Sequence, residues 1–354
     1  MLGVCDVMVT RLKDIAAKVG RSVTTVSRAL NDYDDVSPET RDVIKRAASE
    51  MGYQPNIFAQ RLRKRSSDTI GFIIPTYTPR FSDPFFSEFL AGIGNKASEY
   101  GYDLLVSTQA PGNGEMKAYR HMVDGHRVDG LICVRTCEND PRINYLIETD
   151  FPFVAFGRVG TDKDYAYIDV DGGMGMSLVV DHLVQLGYRR IAAIFPDIAY
   201  RFSKERLRGL EKRLKYHGIQ LPEEYIRIGD LTQNSGYEQA NQLLGLEVVP
   251  KAIAAGNDLM AFGAISAIQE HGLVVGRDMA VTGFDDTPLA EHFHPPLTTV
   301  HQPVYQIGIM ACEMLIERLQ GRSKEFQKII IQPELMIRKS CGEMNVKKSF
   351  NPRR

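Results

Sequence analysis

A short segment near the amino terminus combines residue types that contact DNA. It is rich in hydroxyl side chains and ends in an arginine: Ser22-Val23-Thr24-Thr25-Val26-Ser27-Arg28. Hydroxyls suit phosphate oxygens, and arginine is the side chain that most often reads guanine in the major groove. We therefore expect Ser22 and Thr25 to contact phosphates, and Val23, Thr24 and Arg28 to reach base edges.

A second set of polar residues, with two aromatic neighbours, follows predicted strands or lies in the helix after one. In parallel α/β sheets, ligands bind beyond the carboxyl ends of the strands. Charged and amide groups form strong hydrogen bonds to vicinal hydroxyls, and aromatic rings cover the apolar face of a sugar. The candidate effector-binding residues are Asp83, Phe85, Phe86, Arg158, Arg206, Asn257 and Asp285.

Some of these residues also have a structural explanation. At least one of the two phenylalanines is expected in the core. Asp258, beside Asn257, is favoured as the N-cap of the next helix over a ligand contact. Arg158 and Arg208 are also explained as ion pairs that contribute little stability.

Three helices must position the DNA-contacting segment. Apolar residues recur at helical spacing in the first, Ser22 begins the second, and Ser37-Pro38-Glu39 is a typical helix start. We predict helices over Leu12–Lys18, Ser22–Asn31 and Pro38–Met51.

The first two of these helices have the spacing of a helix-turn-helix. Ala16 permits close approach of the helices, Gly20 can adopt a left-handed turn, and Val26 can pack back on the first helix. A generic three-helix bundle would explain the apolar spacing. It would not explain a hydroxyl-rich exposed helix followed by the basic segment Arg61–Arg65.

The remainder of the chain alternates short apolar strands with amphipathic helices. Four helices end in glycine followed by a hydrophobic residue, at Gly101, Gly187, Gly218 and Gly272. Roughly 270 residues are too many for one core, so we predict two lobes of doubly wound parallel sheets. The predicted strands are Ile70–Pro75, Asp103–Ser107, Gly130–Val134, Phe153–Phe156, Ala166–Val170, Ile191–Phe195, Ile226–Ile228, Ala252–Ala255 and Ala280–Phe284.

Charge is divided unequally along a nearly neutral chain of 354 residues. Residues 1–65 hold 12 Lys and Arg against 8 Asp and Glu, whereas the rest carries a net charge of −5. A basic head suggests a polyanionic partner and a binding affinity that falls steeply with salt. Without an apolar run of bilayer length or a secretory signal, the five cysteines are expected to be reduced thiols of a cytoplasmic protein. Translation could begin at Met1 or Met8.

Ordered motifs extend this picture to nearly the whole chain. In the head they are Lys13-Asp14-Ile15-Ala16, Thr25-Val26-Ser27-Arg28-Ala29-Leu30-Asn31, Val36-Ser37-Pro38-Glu39-Thr40-Arg41 and Gly52-Tyr53-Gln54-Pro55-Asn56. In the body they include Asp83-Pro84-Phe85-Phe86, Val128-Asp129-Gly130, Glu205-Arg206-Leu207-Arg208-Gly209, Asn257-Asp258 and Val281-Thr282-Gly283-Phe284-Asp285-Asp286. Together they resemble the LacI (lactose-repressor) family of transcriptional regulators.

The resemblance implies further DNA contacts. To the residues above it adds Thr10, Arg11, Arg21, Ser27, Asn31, Tyr53 and Asn56. It also implies a hinge helix over about residues 56–64, in which Leu62 wedges into the minor groove and Ala59 lets two copies approach. Arg63 would neutralise phosphate both in a hinge helix and in a flexible linker. A flexible linker is the alternative. Arg11 and Arg21 depart from the small or hydroxyl residues usual in the family, which puts helix capping and phosphate contacts there in doubt.

The resemblance also implies a domain plan. The head with its hinge occupies 1–65, one lobe 69–168 and 300–324, the other lobe 169–296 and 327–341, and a tail 342–354. The chain would cross between lobes near Tyr167–Asp169, Pro296–Val300 and Ser323–Gln327. The body would resemble periplasmic sugar-binding proteins, with Arg206 and Asp285 at family ligand positions.

These observations predict a repressor of carbohydrate-utilisation genes. Its partners would be a near-palindromic operator, a sugar effector between the lobes, and a second copy in a homodimer or a dimer of dimers. No cofactor, metal, membrane contact or catalytic residue is expected. The alternatives are a regulator with a non-sugar corepressor, a solute-binding protein, and a nucleotide-dependent enzyme based on the incomplete glycine motif Asp171-Gly172-Gly173-Met174-Gly175.

Overall fold

The computed structural model describes residues 10–53, 66–76, 83–160, 163–323 and 325–342. The chain forms two compact units, Met1–Ser66 and Ser67–Arg354. The predicted hinge helix, with Asn56, Ala59, Leu62 and Arg63, lies outside the described residues, as does the tail beyond residue 342.

The first unit contains the three predicted helices. They are α1 (Leu12–Val19), α2 (Val23–Leu30) and α3 (Pro38–Glu50). Ser22 caps α2, since its Oγ accepts a hydrogen bond from the Thr25 amide at 3.0 Å. Ser37 caps α3 in the same way, with Pro38 in the first turn. The predicted start signals are therefore confirmed.

Apolar burial joins the three helices. Ile15, Val26 and Ile44, one from each helix, have no exposed surface. Gly20 ends α1 with φ 64°, the left-handed conformation that the predicted turn requires. The opposite side of α2 remains at the surface, where Thr24 and Arg28 are exposed and Val23 is 47% exposed.

The second unit contains two six-stranded sheets. The first has the spatial order β11-β5-β4-β3-β1-β2, and all its pairs are parallel. Its strands are β1 (Thr69–Pro75), β2 (Asp103–Gln109), β3 (Gly130–Cys133), β4 (Phe153–Phe156), β5 (Ala166–Val170) and β11 (Lys328–Ile331). The helices that accompany it are α4 (Pro84–Glu99), α5 (Asn113–Asp124), α6 (Pro141–Glu148) and α12 (Val304–Leu319).

The second sheet has the spatial order β12-β10-β9-β8-β6-β7, and only β12 is antiparallel to its neighbour. Its strands are β6 (Ile191–Pro196), β7 (Ile226–Gly229), β8 (Ala252–Ala255), β9 (Ala280–Asp285), β10 (Thr298–His301) and β12 (Glu334–Met336). Its helices are α7 (Gly172–Gln185), α8 (Arg201–Tyr216), α9 (Gln233–Leu244), α10 (Asp258–Glu270) and α11 (Pro288–His292), with short 3-10 turns at Glu223–Tyr225 and Lys339–Cys341.

Both sheets are doubly wound, as predicted, and apolar clusters cover both faces of each. The nine predicted strands are all present within two residues of their predicted ends. The four helix-ending glycines adopt φ between 68° and 93°, which confirms the predicted C-terminal caps. Three strands were not predicted, namely β10, β11 and β12, which have only three or four residues each.

The missed strands move the three crossings between sheets. Because β5 pairs with β11 through Val170, the first crossing follows residue 170 rather than lying at Tyr167–Asp169. The second follows His301, since β10 pairs with β9, and not Pro296–Val300. The third lies between Ile331 and Glu334, not at Ser323–Gln327. The predicted lobe boundaries at 168/169, 296/300 and 324/327 are corrected accordingly.

In the described ranges, no helix has the length and apolarity needed to cross a membrane. The four cysteines placed there, at 133, 137, 312 and 341, carry free thiols.

Close contact between α7 and α8 depends on glycine. A Cβ added at Gly209 would overlap the backbone of Gly173. We predict that Gly209→Ala lowers the free energy of unfolding by about 1–3 kcal/mol, because the two backbones must separate. Gly94→Ala is the matched control, since a Cβ there meets nothing within 4 Å. It should raise stability by about 0.5–1 kcal/mol. Denaturant unfolding measures both changes, and equal stability of the two variants would contradict the prediction.

Candidate DNA-contacting surface and ligand cavity

Helix α2 and the residues that flank it hold most of the described residues predicted to contact DNA. Exposed residues are Arg11, Arg21, Ser22, Val23, Thr24 and Arg28, and partly buried ones are Thr10, Thr25, Ser27, Asn31 and Tyr53. Their contact with DNA stays a prediction.

Three of the hydroxyls predicted to contact DNA already have partners within the head. Thr10 Oγ1 donates to the Met51 carbonyl at 2.7 Å, and the Ser22 and Thr25 hydroxyls lie 2.8 Å apart. At the start of α1, Asp14 accepts a hydrogen bond from the Arg11 amide at 2.8 Å. The helix is therefore capped from within despite the unusual arginine.

A cavity of about 750 Å³, open to solvent, lies between the two sheets of the second unit. Its charged lining consists of Asp83, Arg135, Arg158, Asp169, Glu205, Arg206 and Asp285. Its aromatic lining consists of Phe85, Phe156 and Phe202. Six of the seven predicted effector residues therefore line one cavity: Asp83, Phe85, Arg158, Arg206, Asn257 and Asp285.

Two arginines of the first sheet are paired with carboxylates in this cavity. Arg135 Nη2 donates to Asp83 Oδ2 at 2.8 Å. Arg158 Nε donates to Asp169 Oδ2 at 2.7 Å. Burial disfavours the charged form of Arg158, but the hydrogen bond and charge of Asp169 outweigh it and raise the pKa. Arg158 therefore forms the predicted ion pair and also lines the cavity.

The second sheet contributes a more deeply buried arginine. Arg206 is 6% exposed, its Nη1 donates to the Gly256 carbonyl at 2.6 Å, and its Cζ lies 3.4 Å from the centroid of the Phe284 ring. Asp285 is the nearest carboxylate, with Oδ1 3.8 Å from Arg206 Nη1. This oxygen accepts a hydrogen bond from Gln302 Nε2 at 2.6 Å.

This pair leaves hydrogen-bonding capacity unused. Arg206 Nε, a donor, and Gln302 Oε1, an acceptor, are buried and have no hydrogen-bond partner. Buried polar atoms without partners are uncommon and require an explanation. Both residues line the cavity.

Burial shapes the ionisation of the cavity. It lowers the pKa of Arg206 to about 10, and Asp285 opposes this shift. It raises the pKa of Asp285 well above the usual range against the opposing charge of Arg206. It also raises the pKa of Asp83, with Arg135 in opposition. Arg206 therefore remains charged at neutral pH.

Two cavity residues also have strained backbones. Arg135 follows β3 with φ 51°, and Asp285 ends β9 with φ 116°. Positive φ is unfavourable for residues with a Cβ and occurs preferentially at functional sites. Both strained residues direct charged side chains from a strand end into the same cavity lining.

A set of contacts that we call the clasp joins the two sheets' loops at the cavity. The Arg201 amide donates to the Thr136 carbonyl at 2.9 Å, and Cys137 forms an isolated antiparallel bridge with Tyr200. Glu138 accepts hydrogen bonds from Arg201 Nη1 at 3.0 Å and from Lys204 Nζ. The clasp joins the loop after β3 to the start of α8 through noncovalent contacts.

Two assignments from the sequence need correction. Phe86 is 1% exposed and packs in the core beside Phe72, so it does not line the cavity as predicted. The N-cap of α10 is Asn257, whose Oδ1 accepts from the Met260 amide at 3.0 Å, and not Asp258. Asn257 Nδ2 donates to the Leu231 carbonyl at 3.1 Å, so its amide serves the fold as well as the cavity.

Asp258 instead forms a buried hydrogen-bonded centre. It has no exposed surface and accepts from the amide and hydroxyl of Thr287, at 2.7 and 3.0 Å, and from Thr299 Oγ1 at 2.5 Å. The ion pair expected at Arg208 is also present. Arg208 Nη1 lies 3.8 Å from Glu205 Oε1, and the Arg208 side chain is exposed.

Several cavity residues were not predicted. Arg135 directly follows a predicted strand, so the strand-end rule would have found it. Asp169 lies inside β5, and Gln302 follows β10, which was not predicted. The other unpredicted lining residues are Val134, Thr136, Phe156, Gly157, Val170, Gly172, Phe202, Glu205 and Leu231.

The incomplete glycine motif has a packing role. Asp171 caps α7, with Oδ1 accepting from the Met174 amide at 2.9 Å. A Cβ on Gly175 would lie 2.9 Å from the Phe284 ring, and Gly173 faces Gly209. These glycines therefore serve close packing of α7. Among the residues described, no group of three His, Cys, Asp or Glu is arranged to hold a metal ion.

Comparison with known proteins gives consistent matches. Residues 11–56 match the family described as bacterial regulatory proteins, lacI family, and residues 180–341 match a periplasmic binding protein-like domain. The chain is 33% identical over 332 residues to the HTH-type transcriptional regulator CelR of Thermobifida fusca, covering 93% of this chain and 97% of the relative.

Solved structures agree. A lac repressor dimer bound to operator and the anti-inducer ONPF is 31% identical, with a TM-score of 0.83, covering 95% of this chain and 100% of that one. A CelR–cellobiose complex is also 31% identical, with a TM-score of 0.73, covering 94% and 99%.

The ionisation of Asp258 predicts a pH dependence of stability. Burial raises its pKa to about 7, although Thr299 and Thr287 oppose the shift by hydrogen bonding to it. The unfolded chain ionises near pH 3.9. Between these values the folded state holds a proton that the unfolded state lacks. Asp258 therefore lowers the free energy of unfolding as pH rises through this window.

We predict that Asp258→Asn flattens this decline between pH 5 and 7, by up to about 1.4 kcal/mol per pH unit. Denaturant titrations across pH measure the slope. Asp278→Asn is the control, because the partly exposed Asp278 carboxylate has a pKa of about 2 and completes its titration below the window. An unchanged slope in Asp258→Asn would contradict the assignment.

Proposed function

The chain belongs to the LacI family of bacterial regulatory proteins, and on this premise we propose that it represses carbohydrate-utilisation genes under the control of a sugar. The head binds operator DNA, and the cavity between the two sheets binds the effector. The combination that carries this proposal is a helix-turn-helix and a cavity with buried, unpartnered hydrogen-bonding atoms in one chain.

The unpartnered atoms support a polyhydroxylated effector. Arg206 Nε can only donate, whereas Gln302 Oε1 can only accept. A hydroxyl group both accepts and donates, so adjacent sugar hydroxyls can satisfy both atoms. The rings of Phe85, Phe156 and Phe202 offer apolar surface to the C–H face of a sugar.

The pairing of the charged groups supports a neutral effector. Three arginines and four carboxylates line the cavity, and each arginine faces a carboxylate: Arg135 faces Asp83, Arg158 faces Asp169, and Arg206 faces Asp285. A phosphate or carboxylate ligand would have to compete with these carboxylates. A sugar without charge can instead bridge the paired groups. The cellobiose complex of CelR supports the same ligand class.

The head supports recognition of double-stranded operator DNA. The amino-terminal residues of α2 enter the major groove, where Val23, Thr24 and Arg28 reach base edges and the flanking hydroxyls contact phosphates. The lac repressor dimer on its operator supports a homodimer that binds a near-palindromic site. We also propose that Leu62 wedges into the minor groove at the operator centre and that Ala59 lets the two copies approach each other there.

Ligand and DNA binding are linked in this mechanism. A sugar changes operator affinity only as far as it binds the two states of the protein with different affinity. We propose that the sugar releases the operator, with corepression as the alternative sign. No catalytic step or cofactor belongs to this proposal, and the relatives are named as transcription regulators. We place the protein in the bacterial cytoplasm with its DNA.

Separating the two units tests the division of function. A fragment from Ser66 onward keeps Ser67, whose amide and hydroxyl donate to Asp129 Oδ1 at 2.7 and 2.9 Å. We predict that the fragment keeps the sugar-induced rise in Tm but no longer retards operator DNA. Electrophoretic mobility shift and thermal unfolding provide the two readouts. Specific DNA retardation by the fragment would contradict the assignment of DNA binding to the head.

Arg206→Ala tests the cavity. We predict at least a roughly tenfold to hundredfold loss of sugar affinity, because charge-assisted hydrogen bonds contribute about 1.5–3 kcal/mol. Operator affinity without sugar should change less than about twofold, as judged by fluorescence anisotropy. Arg208→Ala, on the same helix but exposed, is the control and should leave the sugar response intact. Undiminished sugar-induced release in Arg206→Ala would show that the effector binds elsewhere.

A further inference from the structure

Arg28, at the end of α2, is held by an acidic residue of the following loop. Arg28 Nε donates to Asp35 Oδ1 at 3.0 Å, and Arg28 Nη2 lies 2.8 Å from Asp35 Oδ2. The guanidinium carbon lies 5.1 Å from the centroid of the Tyr33 ring. A two-point ion pair and a ring contact thus define the orientation of one exposed arginine.

The geometry of the pair divides the guanidinium into two edges. The side edge, made by Nε and Nη2, faces Asp35. The end edge, made by Nη1 and the second N–H of Nη2, is not part of this ion pair. Two parallel N–H groups on one edge are what a bidentate contact to guanine O6 and N7 requires. The pair with Asp35 is therefore compatible with base reading by the end of Arg28.

The fold does not require this ion pair. Arg28 and Asp35 side chains are 45% and 51% exposed, and pairs at such exposure contribute little stability. The loop has other supports: the Tyr33 amide donates to the Arg28 carbonyl at 3.1 Å, and Val36 is buried in the head core. An acidic residue beside a DNA-contacting surface also repels phosphates. A role in recognition explains its position better than a role in folding.

We propose that Asp35 is a positioning residue that sets the sequence specificity of Arg28. This inference rests on the proposed function, in which Arg28 reads a base. By holding the side edge, Asp35 removes rotamers in which Arg28 would contact a phosphate without regard to sequence. The Arg28 side chain loses its conformational entropy before DNA arrives, so this cost no longer falls on binding. Contact with a matched guanine therefore gains more affinity than contact with the DNA backbone does. Asp35 therefore increases discrimination between sites while it weakens general attraction to DNA.

The loop supplies a matched control. Asp32 lies three residues earlier, and its Oδ1 is 2.6 Å from Lys45 Nζ and 3.7 Å from Arg41 Nε. Asp32→Asn changes the charge of the head by the same amount as Asp35→Asn. Asp32→Asn leaves the ion pair of Arg28 in place. Comparing the two variants separates positioning from net charge.

The experiment measures specificity directly. Duplexes are selected from a random library with the full chain, and the base pair at which Arg28→Ala loses its preference is identified. Affinities are then measured for the selected duplex and for one changed at that base pair. For Asp35→Asn we expect the ratio of the two affinities to fall about tenfold, while binding to the changed duplex stays equal or tightens. Asp32→Asn should tighten both about equally, and Asp35→Glu should recover part of the ratio.

Each other outcome is decisive. An unchanged ratio in Asp35→Asn, or an equal fall in Asp32→Asn, would overturn the proposal by reducing Asp35 to a surface charge. Unfolding of Asp35→Asn in thermal melts would also overturn it, because the ion pair would then be structural. Loss of affinity without base preference in Arg28→Ala overturns it too. Failure of the unaltered chain to select any duplex would instead refute the proposed function itself.

Discussion

The guanidinium of Arg206, buried at the ligand cavity, is the constraint on which the surrounding structure depends. An unpaired charge in such a place would cost several kcal/mol, so neighbouring elements must compensate it. The Gly256 carbonyl after β8, and the Phe284 ring and Asp285 at the end of β9, do so from two segments. Gly172 leaves the necessary space, because a Cβ there would lie 2.8 Å from Arg206 Cγ. The ends of β8 and β9 and the start of α7 are thus tied to one side chain.

The neighbours of Arg206 do not satisfy all of the hydrogen-bonding atoms at this site. The atoms left over are what the cavity offers to a ligand. Arg206 has a hydrogen-bond donor left without a partner, and Gln302, which orders Asp285, has an acceptor left over. The first sheet contributes Arg135 and Arg158, each already neutralised by a carboxylate. A ligand that bridges these groups therefore contacts both sheets. Because the sheets are joined by three crossings and by the clasp, such a ligand can alter their relative arrangement, which is what linkage to DNA binding requires.

Local signals explain what could be predicted from the sequence. Strand-end position located Asp83, Arg158, Arg206 and Asp285, because parallel strands bring distant segments to one edge whatever their detailed packing. Helix caps and left-handed glycines were predictable for the same reason, since their chemistry involves only neighbours in sequence.

Errors arose where distant partners decide. Phe85 and Phe86 are consecutive in α4, so one faces the cavity and the other the core, and the sequence does not specify which. Asn257 and Asp258 can both cap a helix; the choice depends on Thr287 and Thr299, far along the chain, which claim Asp258. Gln302 was missed because its strand has only four residues.

We infer that paired charges and unpartnered hydrogen-bonding atoms make this a cavity for a neutral sugar. It is tested most directly by thermal unfolding of the full chain with neutral mono- and disaccharides, cellobiose included, alongside the phosphate esters of the same sugars. We predict a saturable rise in Tm with a neutral sugar, equivalent to about 2.7 kcal/mol at 100 times its Kd, and a smaller rise with its phosphate. Stabilisation by phosphate esters alone would contradict it.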